Sequence, residues 1–252
     1  MGALHNGHLA LISSSKRENS LTVCTIYVNP TQFNNLADLQ KYPRNLDQDV
    51  ELLRKVECDV VFCPDTEEMY SEKSYLKFDF GHLDKVMEGK FRPGHFSGVA
   101  LIVSKLFNIV QPNNAYFGQK DWQQFAIINQ VVSELKFDLN LHFIPTLRES
   151  DGLAMSSRNQ RLNRRQRQNA TVFYRALLGA RESLKAGNEV SSVKELVTDM
   201  LKNKEGVSLE YFEVAESKNL NVLEIVKGAD KPIMCIAGYV DDIRLIDNMF
   251  LD

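Results

Sequence analysis

Short apolar runs alternate with segments of helical periodicity over the first part of the chain. Leu21–Val28 is a continuous apolar run, rich in β-branched residues, of the kind that forms a strand buried on both faces. In Leu46–Val56 the apolar residues instead recur on one side of a helix. The alternation continues through an apolar run at Asp59–Cys63, helical segments at Ser97–Val110 and Asp121–Leu135, and strands at Asn114–Phe117 and Leu139–Ile144. This pattern predicts an α/β fold with a doubly wound parallel sheet.

The pattern changes after about residue 150. Two helical segments come first, at Asn163–Ala186 and Ser191–Asn203. Three strands follow, at Leu209–Ala215, Ile233–Val240 and Ile243–Ile246. Helices followed by consecutive strands favour a separate, smaller α+β domain with an antiparallel sheet. We therefore predict two domains, residues 1–150 and residues 151–252.

Composition and charge narrow the class of protein. Of the 252 residues, 44% are hydrophobic and 25% are charged, as in ordinary soluble proteins, and the formal net charge is −3. A nucleic-acid partner would require a clustered excess of Lys and Arg, so none is expected. No apolar run is long enough to span a bilayer, so no membrane association is expected. The four cysteines lack the CxxC spacing of a zinc site, so no zinc site is expected. Free thiols in a chain that does not begin with a basic signal peptide indicate a reducing, cytoplasmic location.

Two histidines flank a glycine immediately before an apolar helical segment. In His5-Asn6-Gly7-His8 the glycine allows the backbone to approach a ligand closely, and the N-terminus of the following helix favours phosphate. The imidazoles of His5 and His8 could donate hydrogen bonds to phosphoryl oxygens as charge develops on them. A metal-binding pair and ordinary surface histidines are the alternatives that the motif leaves open.

Two further segments carry groups that suit a nucleotide. Lys120 lies where a predicted strand ends at Gly118 and a helix begins, which is the edge at which doubly wound sheets bind ligands. The hydroxyls and the guanidinium of Ser156, Ser157 and Arg158 could grip a polyphosphate through directional hydrogen bonds. An ordinary capped helix start and a polar linker between domains are the respective alternatives.

Amide and carboxylate side chains complete the set of candidates. Gln32 directly follows the first predicted strand, Gln124 lies one turn after Lys120, and either amide could recognise a hydroxyl or a carboxylate. Asp49 could hold Mg²⁺ directly or through water beside a triphosphate. A simple turn and solvent-facing helix positions are the alternatives. Because most of these groups follow strands of one predicted sheet, together they predict a nucleotide site at its carboxyl edge.

The motifs, in their order along the chain, resemble those of the pantothenate synthetase family, within the HxGH nucleotidyltransferase superfamily. The matching stretches are MGALHNGH, YVNPTQF, DLQKYPRNLDQD, EGKFRPGHFSGVA, KLFNIVQPNNAYFGQKDWQQ, RESDGLAMSSRNQRL and DIRLIDN. The resemblance implies a pantoate–β-alanine ligase of pantothenate biosynthesis, which uses ATP to join pantoate to β-alanine through a pantoyl-adenylate. It also implies a nucleotide- and pantoate-binding first domain, a lid-like C-terminal domain and a homodimer.

The resemblance also implies roles for single residues. The implied catalytic residues are His5, His8, Lys120, Ser156, Ser157 and Arg158, with His8 the usual proton donor. The implied ATP contacts are Met1, Gly2, His5, Gly7, His8, Gly118, Gln119, Lys120, Asp121, Leu147, Met155, Ser156, Ser157 and Arg158. Gln32 and Gln124 would bind pantoate, and Asp49 would help to place Mg²⁺. Another adenylyl transferase of the superfamily would share the histidine motif but would not need both glutamines.

The chain departs from the family's pattern at its start. Family members normally place a helix and a strand before the segment that here begins at Met1. We therefore expect the first strand to be missing, which would leave the strands at Leu21–Val28 and Asn114–Phe117 without a ladder partner between them. A start further upstream is one explanation, and an N-terminally truncated, weakly active or non-catalytic nucleotide-binding form is the alternative function. Gln48 stands where some relatives carry a second acid, so the Mg²⁺ assignment depends on Asp49 alone.

Overall fold

The computed structural model describes residues 1–251, and the side chains of all of these except residues 36 and 37. The chain divides into two compact units. Unit 1 comprises Met1–Gln119 and Gln123–Pro145, and unit 2 comprises Lys120–Trp122 and the chain from Thr146 onward. No helix within residues 1–251 combines the length and the apolar character that are needed to cross a lipid bilayer.

Unit 1 alternates helices with short strands. Its helices are α1 (Asn6–Glu18), α2 (Leu36–Lys41), α3 (Leu46–Lys55), α4 (Thr66–Met69), α5 (Met87–Phe91), α6 (His95–Val110) and α7 (Trp122–Leu135), the last beginning at a residue of unit 2. Its strands are β1 (Val23–Thr25), β2 (Val60–Phe62), β3 (Asn114–Gly118) and β4 (Asn140–Ile144). The alternation predicted from the hydrophobic pattern is confirmed.

The strands of unit 1 form two parallel pairs. β1 pairs with β2 in a register that places Cys24 opposite Val61, and β3 pairs with β4 in a register that places Tyr116 opposite His142. Over the described residues, β1 and β3 belong to different sheets, as expected if no strand lies between them. The parallel α/β prediction is confirmed, but the predicted strand Leu21–Val28 is wrong in extent, because β1 finds a ladder partner over only three residues.

Helix α6 organises most of the core of unit 1. Two apolar clusters use different faces of this helix, one around Val99 and Phe107 and the other around Phe96 and Ala100. Each cluster also includes a fully buried isoleucine of α7, either Ile128 or Ile127. A third cluster joins the N-terminal segment, α1, β1 and α3 through Leu4, Ile12, Cys24 and Leu53. This third cluster fixes the start of α1, where the histidine motif lies.

Unit 2 packs two helices against an antiparallel sheet. Its elements are α8 (Arg164–Lys185), α9 (Val190–Lys202), β5 (Val207–Glu216), β6 (Pro232–Val240) and β7 (Ile243–Phe250), with β6 in the centre of the sheet. Apolar side chains of both helices and all three strands form one core. The predicted antiparallel sheet is confirmed. The last strand is longer than predicted, since its pairing with β6 continues to Phe250, opposite Ile233.

Candidate active site

The N-terminal segment of unit 1 lies beside β1. The Met1 nitrogen donates a hydrogen bond to the Thr25 carbonyl oxygen at 2.8 Å, and the Tyr27 N–H donates to the Met1 carbonyl oxygen at 3.0 Å. A Cβ added at Gly2 would lie 3.3 Å from a methyl carbon of Val28, so this backbone approaches the chain after β1 closely. The segment therefore runs alongside β1 and its extension before it turns into α1.

The histidine motif forms the first turn of α1. His5 is the N-cap residue, and its carbonyl oxygen accepts the N–H groups of His8 at 2.8 Å and Leu9 at 3.1 Å. The two imidazole rings stack with their centroids 4.0 Å apart and their planes inclined by 27°. Both rings thus lie at the end of α1 where the helix dipole is partially positive, an environment that suits phosphate oxygens.

Asp49 on α3 faces the N-terminal segment. It is 2% exposed, and its two carboxylate oxygens accept the N–H groups of Ala3 at 2.9 Å and Leu4 at 2.6 Å. A direct Mg²⁺ ligand needs an oxygen that faces the ion, together with room for the ion's waters. Asp49 does not fit that role in this conformation, because both of its oxygens face backbone N–H groups. Within the described part of the chain, no group of three or more His, Cys, Asp or Glu residues could hold a metal ion.

Gln32 ends a short 3-10 turn that follows β1. Asn29, which is 2% exposed, donates from Nδ2 to the Gly98 carbonyl oxygen at 3.1 Å and to Gln32 Oε1 at 3.3 Å. His95 Nδ1 lies 2.8 Å from the Gln32 carbonyl oxygen, which can only accept, so Nδ1 carries the proton. The Tyr70 hydroxyl donates to Asn29 Oδ1 at 2.7 Å, and burial raises the pKa of Tyr70, which keeps this donor protonated. The turn that carries Gln32 is therefore fixed by buried hydrogen bonds.

Two adjacent glutamines on the first turn of α7 have different environments. Gln123 is buried, and its Oε1 accepts the Glu88 N–H at 2.9 Å. Its Nε2 donates to the carbonyl oxygens of Leu83 at 2.7 Å and Val86 at 2.9 Å, so this side chain links α7 to the segment around α5. Gln124 is half-buried and is the candidate binding residue of the pair.

Lys120 belongs to unit 2, although the strand that precedes it belongs to unit 1. Its carbonyl oxygen accepts a hydrogen bond from Asn248 Nδ2 at 2.8 Å, and its Nζ lies 3.8 Å from Asp121 Oδ2. Trp122 secures the same segment, because its indole N–H donates to the Ser217 carbonyl oxygen at 2.9 Å. The lysine is thus held on a segment that is tied to the C-terminal sheet.

A small hairpin carries Leu147 and Met155. The Met155 N–H donates to the Leu147 carbonyl oxygen at 3.0 Å, and residues 148 and 154 form an isolated antiparallel bridge. The turn closes at Gly152, whose φ of 89° favours glycine and whose N–H donates to the Glu149 carbonyl oxygen at 2.9 Å. A Cβ added there would lie 2.2 Å from a ring carbon of Tyr174, so glycine also permits close packing on α8.

Strand β7 anchors both the hairpin and the lysine segment. Arg148 donates to the two carboxylate oxygens of Asp247 at 2.6 Å and 3.0 Å, and its guanidinium lies 4.2 Å from the centroid of the Tyr174 ring. Asn248, the next residue along, bonds to the Lys120 carbonyl oxygen. Burial raises the pKa of the Asp247 carboxyl, and the adjacent guanidinium opposes that shift. Two adjacent residues of β7 therefore hold two segments that are predicted to bind ATP.

The serine and arginine segment continues from the hairpin into a 3-10 turn that begins at Ser157. Ser156 caps this turn, because its hydroxyl oxygen accepts the Arg158 N–H at 3.3 Å. Asn159 is buried and donates to the Ala154 carbonyl oxygen at 3.0 Å, which ties the turn back to the hairpin.

An ion pair stabilises the same hairpin from α8. Arg167 Nη2 lies 2.8 Å from Glu149 Oε2 and 3.0 Å from Asp151 Oδ2. The hydrogen bond from Arg167 lowers the pKa of the Glu149 carboxyl, Asn159 acts in the same direction, and burial opposes both. Glu149 is therefore held in its charged form, and its ion pair with Arg167 links the hairpin to α8.

Comparison with known families and structures agrees with this arrangement. Residues 1–250 match the model of the family described as pantoate-beta-alanine ligase. The chain belongs to the pantoate–β-alanine ligase family. The pantothenate synthetases of Cytophaga hutchinsonii and Bacteroides fragilis are similar relatives, 44% identical over 252 residues and 46% identical over 249 residues. These alignments cover 100% and 99% of this chain, and 89% and 88% of the two relatives.

Solved structures of this ligase family share the fold. The crystal structure of pantothenate synthetase from Thermus thermophilus matches with a TM-score of 0.94 at 39% identity, covering 100% of this chain and 91% of that one. The pantoate–β-alanine ligase from Francisella tularensis, complexed with β-γ ATP and β-alanine, matches with a TM-score of 0.81 at 34% identity, covering 100% and 87%.

In this member of the ligase family, the predicted site residues fall into two groups. Unit 1 carries Met1, Gly2, His5, Gly7, His8, Gln32, Asp49, Gly118, Gln119 and Gln124. Unit 2 carries Lys120, Asp121, Leu147, Met155, Ser156, Ser157 and Arg158. In unit 1 the N-terminal segment that leads into the histidine turn runs beside the end of β1 and the residues after it, and the glutamine turn follows that same end. In unit 2 the lysine segment and the hairpin are both tied to β7. That the two groups bind one ATP stays a prediction.

Sequence reasoning missed the residues that hold these candidates in place. Asn29 and His95 occur in the sequence analysis only inside the matching stretches YVNPTQF and EGKFRPGHFSGVA, yet both contact Gln32. Asp247 and Asn248 enter only as part of a family motif, yet they anchor two loops of the ligase. One feature of the sequence could have identified these anchoring residues: they are polar residues within or next to apolar strands and helices.

Proposed function

We propose that this chain catalyses the ATP-dependent condensation of (R)-pantoate with β-alanine to give pantothenate, AMP and pyrophosphate through a pantoyl-adenylate. The observation that carries the proposal is the match of residues 1–250 to the pantoate–β-alanine ligase family. The Francisella tularensis relative, complexed with β-γ ATP and β-alanine, supports these two molecules as substrates.

The first step needs no base, because the carboxylate of pantoate is already a nucleophile. One carboxylate oxygen forms a bond to the α-phosphorus of ATP. The bond from that phosphorus to the oxygen bridging to the β-phosphate breaks, and pyrophosphate leaves with the electron pair. The protein's task is to align the reactants and to oppose the charge that builds on the phosphate oxygens.

We assign His5 and His8 to the ATP phosphates, with His8 as the proton donor. Their stacking at 4.0 Å supports this assignment, because both rings can donate to neighbouring phosphoryl oxygens at a helix N-terminus. Lys120 and the Ser156–Arg158 segment would hold the triphosphate from unit 2. Asn248 of β7 bonds to the Lys120 carbonyl oxygen, and Asp247 bonds to Arg148 in the hairpin that leads into Ser156; these two attachments support this second assignment.

The remaining ATP contacts follow the resemblance. The backbone at Gly118 and Leu147, with Asp121, would hold adenosine, and the hairpin bond from Met155 to Leu147 gives this backbone a fixed shape. The other assigned contacts are Met1, Gly2, Gly7, Gln119 and Met155.

The second step releases AMP. The amine nitrogen of β-alanine forms a bond to the acyl carbon, the bond from that carbon to the AMP oxygen breaks, and the new ammonium loses a proton to become the amide. Gln32 and Gln124 would bind pantoate through their amides during both steps. The hydrogen bonds to Gln32 from Asn29 and His95 support this role, because a fixed turn holds the substrate in one orientation.

We also propose that Mg²⁺ accompanies ATP and neutralises charge on its phosphates. Mg²⁺ keeps several waters and needs few protein ligands when phosphates bind it. Asp49 does not fit as its direct ligand, since both carboxylate oxygens accept backbone N–H groups.

Two further assignments rest on the resemblance. Residues 1–150 would bind nucleotide and pantoate while residues 151–252 form a lid-like domain, and the protein would act as a homodimer. Its cytoplasmic location is inferred instead from the cysteines. No disulfide joins any of its four cysteines, all of which lie in the described chain, and this supports a reducing compartment.

The test is to incubate the protein with ATP, pantoate and β-alanine and to measure AMP and pantothenate. We expect the two products in equal amounts, and only when all three substrates are present. Release of pyrophosphate should require pantoate, whereas release with other carboxylic acids would indicate a different adenylyl transferase. Binding of ATP without any pantothenate would indicate the non-catalytic alternative and overturn the proposal.

His8→Ala tests the assigned proton donor. Removing one transition-state hydrogen-bond donor should lower turnover by about 10²–10³-fold. Asn6→Ala is the matched control, because Asn6 lies exposed on the same turn and carries no assigned role. Unchanged turnover in His8→Ala would contradict the assignment.

A further inference from the structure

Asp49 joins two distant parts of unit 1. We propose that it is a positioning residue, one that fixes the backbone ahead of the histidine motif and so sets the place of both imidazoles. The inference rests on the proposed function, since it gives Asp49 a part in aligning the groups that contact ATP. It replaces the direct role in Mg²⁺ binding that the sequence suggests.

The backbone that Asp49 holds has an unusual conformation. Ala3 has a φ of 50°, in the left-handed region that a residue with a Cβ rarely adopts without support from its surroundings. The N–H groups of Ala3 and of Leu4 both point at one carboxylate, at 2.9 Å and 2.6 Å. Charge-assisted bonds of this kind are stronger than neutral ones. They supply the support that the left-handed turn requires.

The position of Asp49 is itself well determined. Asn45 caps α3, because its Oδ1 accepts the Gln48 N–H at 3.2 Å and its carbonyl oxygen accepts the Asp49 N–H at 3.0 Å. Leu53, one turn further along α3, is 1% exposed and belongs to the same apolar cluster as Leu4. The carboxylate is therefore held by both a helix cap and a packed core.

The constraint passes directly to the histidines. Leu4 is followed at once by His5, which is the N-cap of α1 and whose carbonyl oxygen accepts the His8 N–H at 2.8 Å. A displacement of the Leu4 backbone would therefore move the first turn of α1 and both stacked rings. Because misplacement of a reacting group by about 1 Å can cost 10²-fold in rate, this contact is important for turnover.

The test is Asp49→Asn, with Asp47→Asn as the matched control. The carboxamide has one oxygen, so one backbone N–H would face an NH₂ group that cannot accept. Asp47 lies exposed on the first turn of the same helix, and its substitution by Asn removes the same negative charge as Asp49→Asn does. We expect kcat to fall about 10–100-fold in Asp49→Asn, with the KM for ATP and the Mg²⁺ requirement within about twofold of wild type. The control should match wild type in all three.

Amide exchange in the wild-type protein gives a readout that does not depend on activity. The Ala3 and Leu4 amide protons should be protected in NMR spectra, and both should exchange faster in Asp49→Asn. Should that variant fail to fold by circular dichroism, Asp49→Glu takes its place. Its longer side chain should likewise shift both amide resonances and lower kcat.

Three results would overturn the proposal. One is a wild-type value of kcat in the folded Asp49 variant, and another is unprotected Ala3 and Leu4 amides in the wild type. The third is loss of activity that added Mg²⁺ restores, which would identify a metal ligand. Absence of pantothenate synthesis by the wild type would instead refute the proposed function, while the amide exchange would still decide the positioning contact.

Discussion

A glycine of α6 lies against the turn that carries Gln32. A Cβ added at Gly98 would lie 2.3 Å from the Thr31 carbonyl oxygen and 2.8 Å from the Gln32 nitrogen. Ordinary van der Waals contact begins at 3.4 Å, and both neighbours are backbone atoms that cannot rotate away. Gly98→Ala must therefore separate α6 from the turn by about 1 Å, in a region that is otherwise closely packed.

The displacement should affect stability and substrate binding together. Forced overpacking costs about 1–3 kcal/mol in the free energy of unfolding. The same shift stretches the 3.1 Å bond from Asn29 to the Gly98 carbonyl oxygen and moves Gln32. A misplacement of this size can lower kcat/KM for pantoate by up to about 10²-fold, and most of that loss should come from a higher KM for pantoate.

Urea unfolding and steady-state kinetics with varied pantoate and ATP measure both effects. Gly179→Ala in α8 is the matched control, because its added Cβ would meet only the Met200 sulfur at 3.7 Å, an ordinary contact. Alanine is favoured over glycine in a helix by about 1 kcal/mol, so this control should be no less stable than wild type. A Gly98→Ala protein with wild-type stability and an unchanged KM for pantoate would refute the reasoning.

Two further substitutions test the anchoring of the hairpin. Asp247→Asn leaves the largely buried Arg148 guanidinium without its carboxylate and should lower the free energy of unfolding by about 3 kcal/mol, whereas Glu51→Gln in an exposed helical pair should cost less than about 1 kcal/mol. Equal costs in urea unfolding would contradict this difference. The pKa of Glu149 is lowered by Arg167, so this carboxylate stabilises the fold above its unfolded pKa of about 4.3, and that contribution is lost as the pH falls through the lower folded value. Glu149→Gln should therefore reduce the loss of stability between pH 5 and about pH 3, and identical pH profiles would show that the pair contributes nothing.

Helices were the most predictable part of this fold. The apolar stripe of α3 and the apolar residues of α6 arise from burial against a core, and that burial leaves a periodic trace in the sequence. The buried central strand β6 was similarly evident as a continuous apolar run. Such patterns report which side of an element is buried, and they do so without knowledge of its neighbours.

The extent of the strands was less predictable, because a ladder needs a partner. β1 has the composition of a long strand but pairs with β2 over only three residues. On its other side, Met1 bonds to Thr25 and, beyond the strand, to Tyr27. The sequence around β1 does not indicate over how many residues a neighbouring strand will pair with it.

The roles of residues in the candidate site likewise divide into those that the sequence can predict and those that it cannot. Residue types at strand ends indicated where phosphate could bind, because that chemistry is local. The sequence suggests a Mg²⁺ role for Asp49 and gives no sign of its contacts in the structure, because these are backbone N–H groups 45 and 46 positions away. The hydrogen bond between Asn248 and the Lys120 carbonyl oxygen spans 128 positions and is likewise not predictable from the sequence. Partners of this kind become evident only from the folded chain.

Transfer of an isotope tests the proposed reaction most directly. Pantoate labelled with ¹⁸O in its carboxylate is incubated with the protein, ATP and β-alanine, and AMP is analysed by mass spectrometry. If the carboxylate attacks the α-phosphorus and β-alanine then attacks the acyl carbon, each AMP formed carries one ¹⁸O from pantoate. Unlabelled AMP, or label appearing instead in inorganic phosphate, would contradict a pantoyl-adenylate.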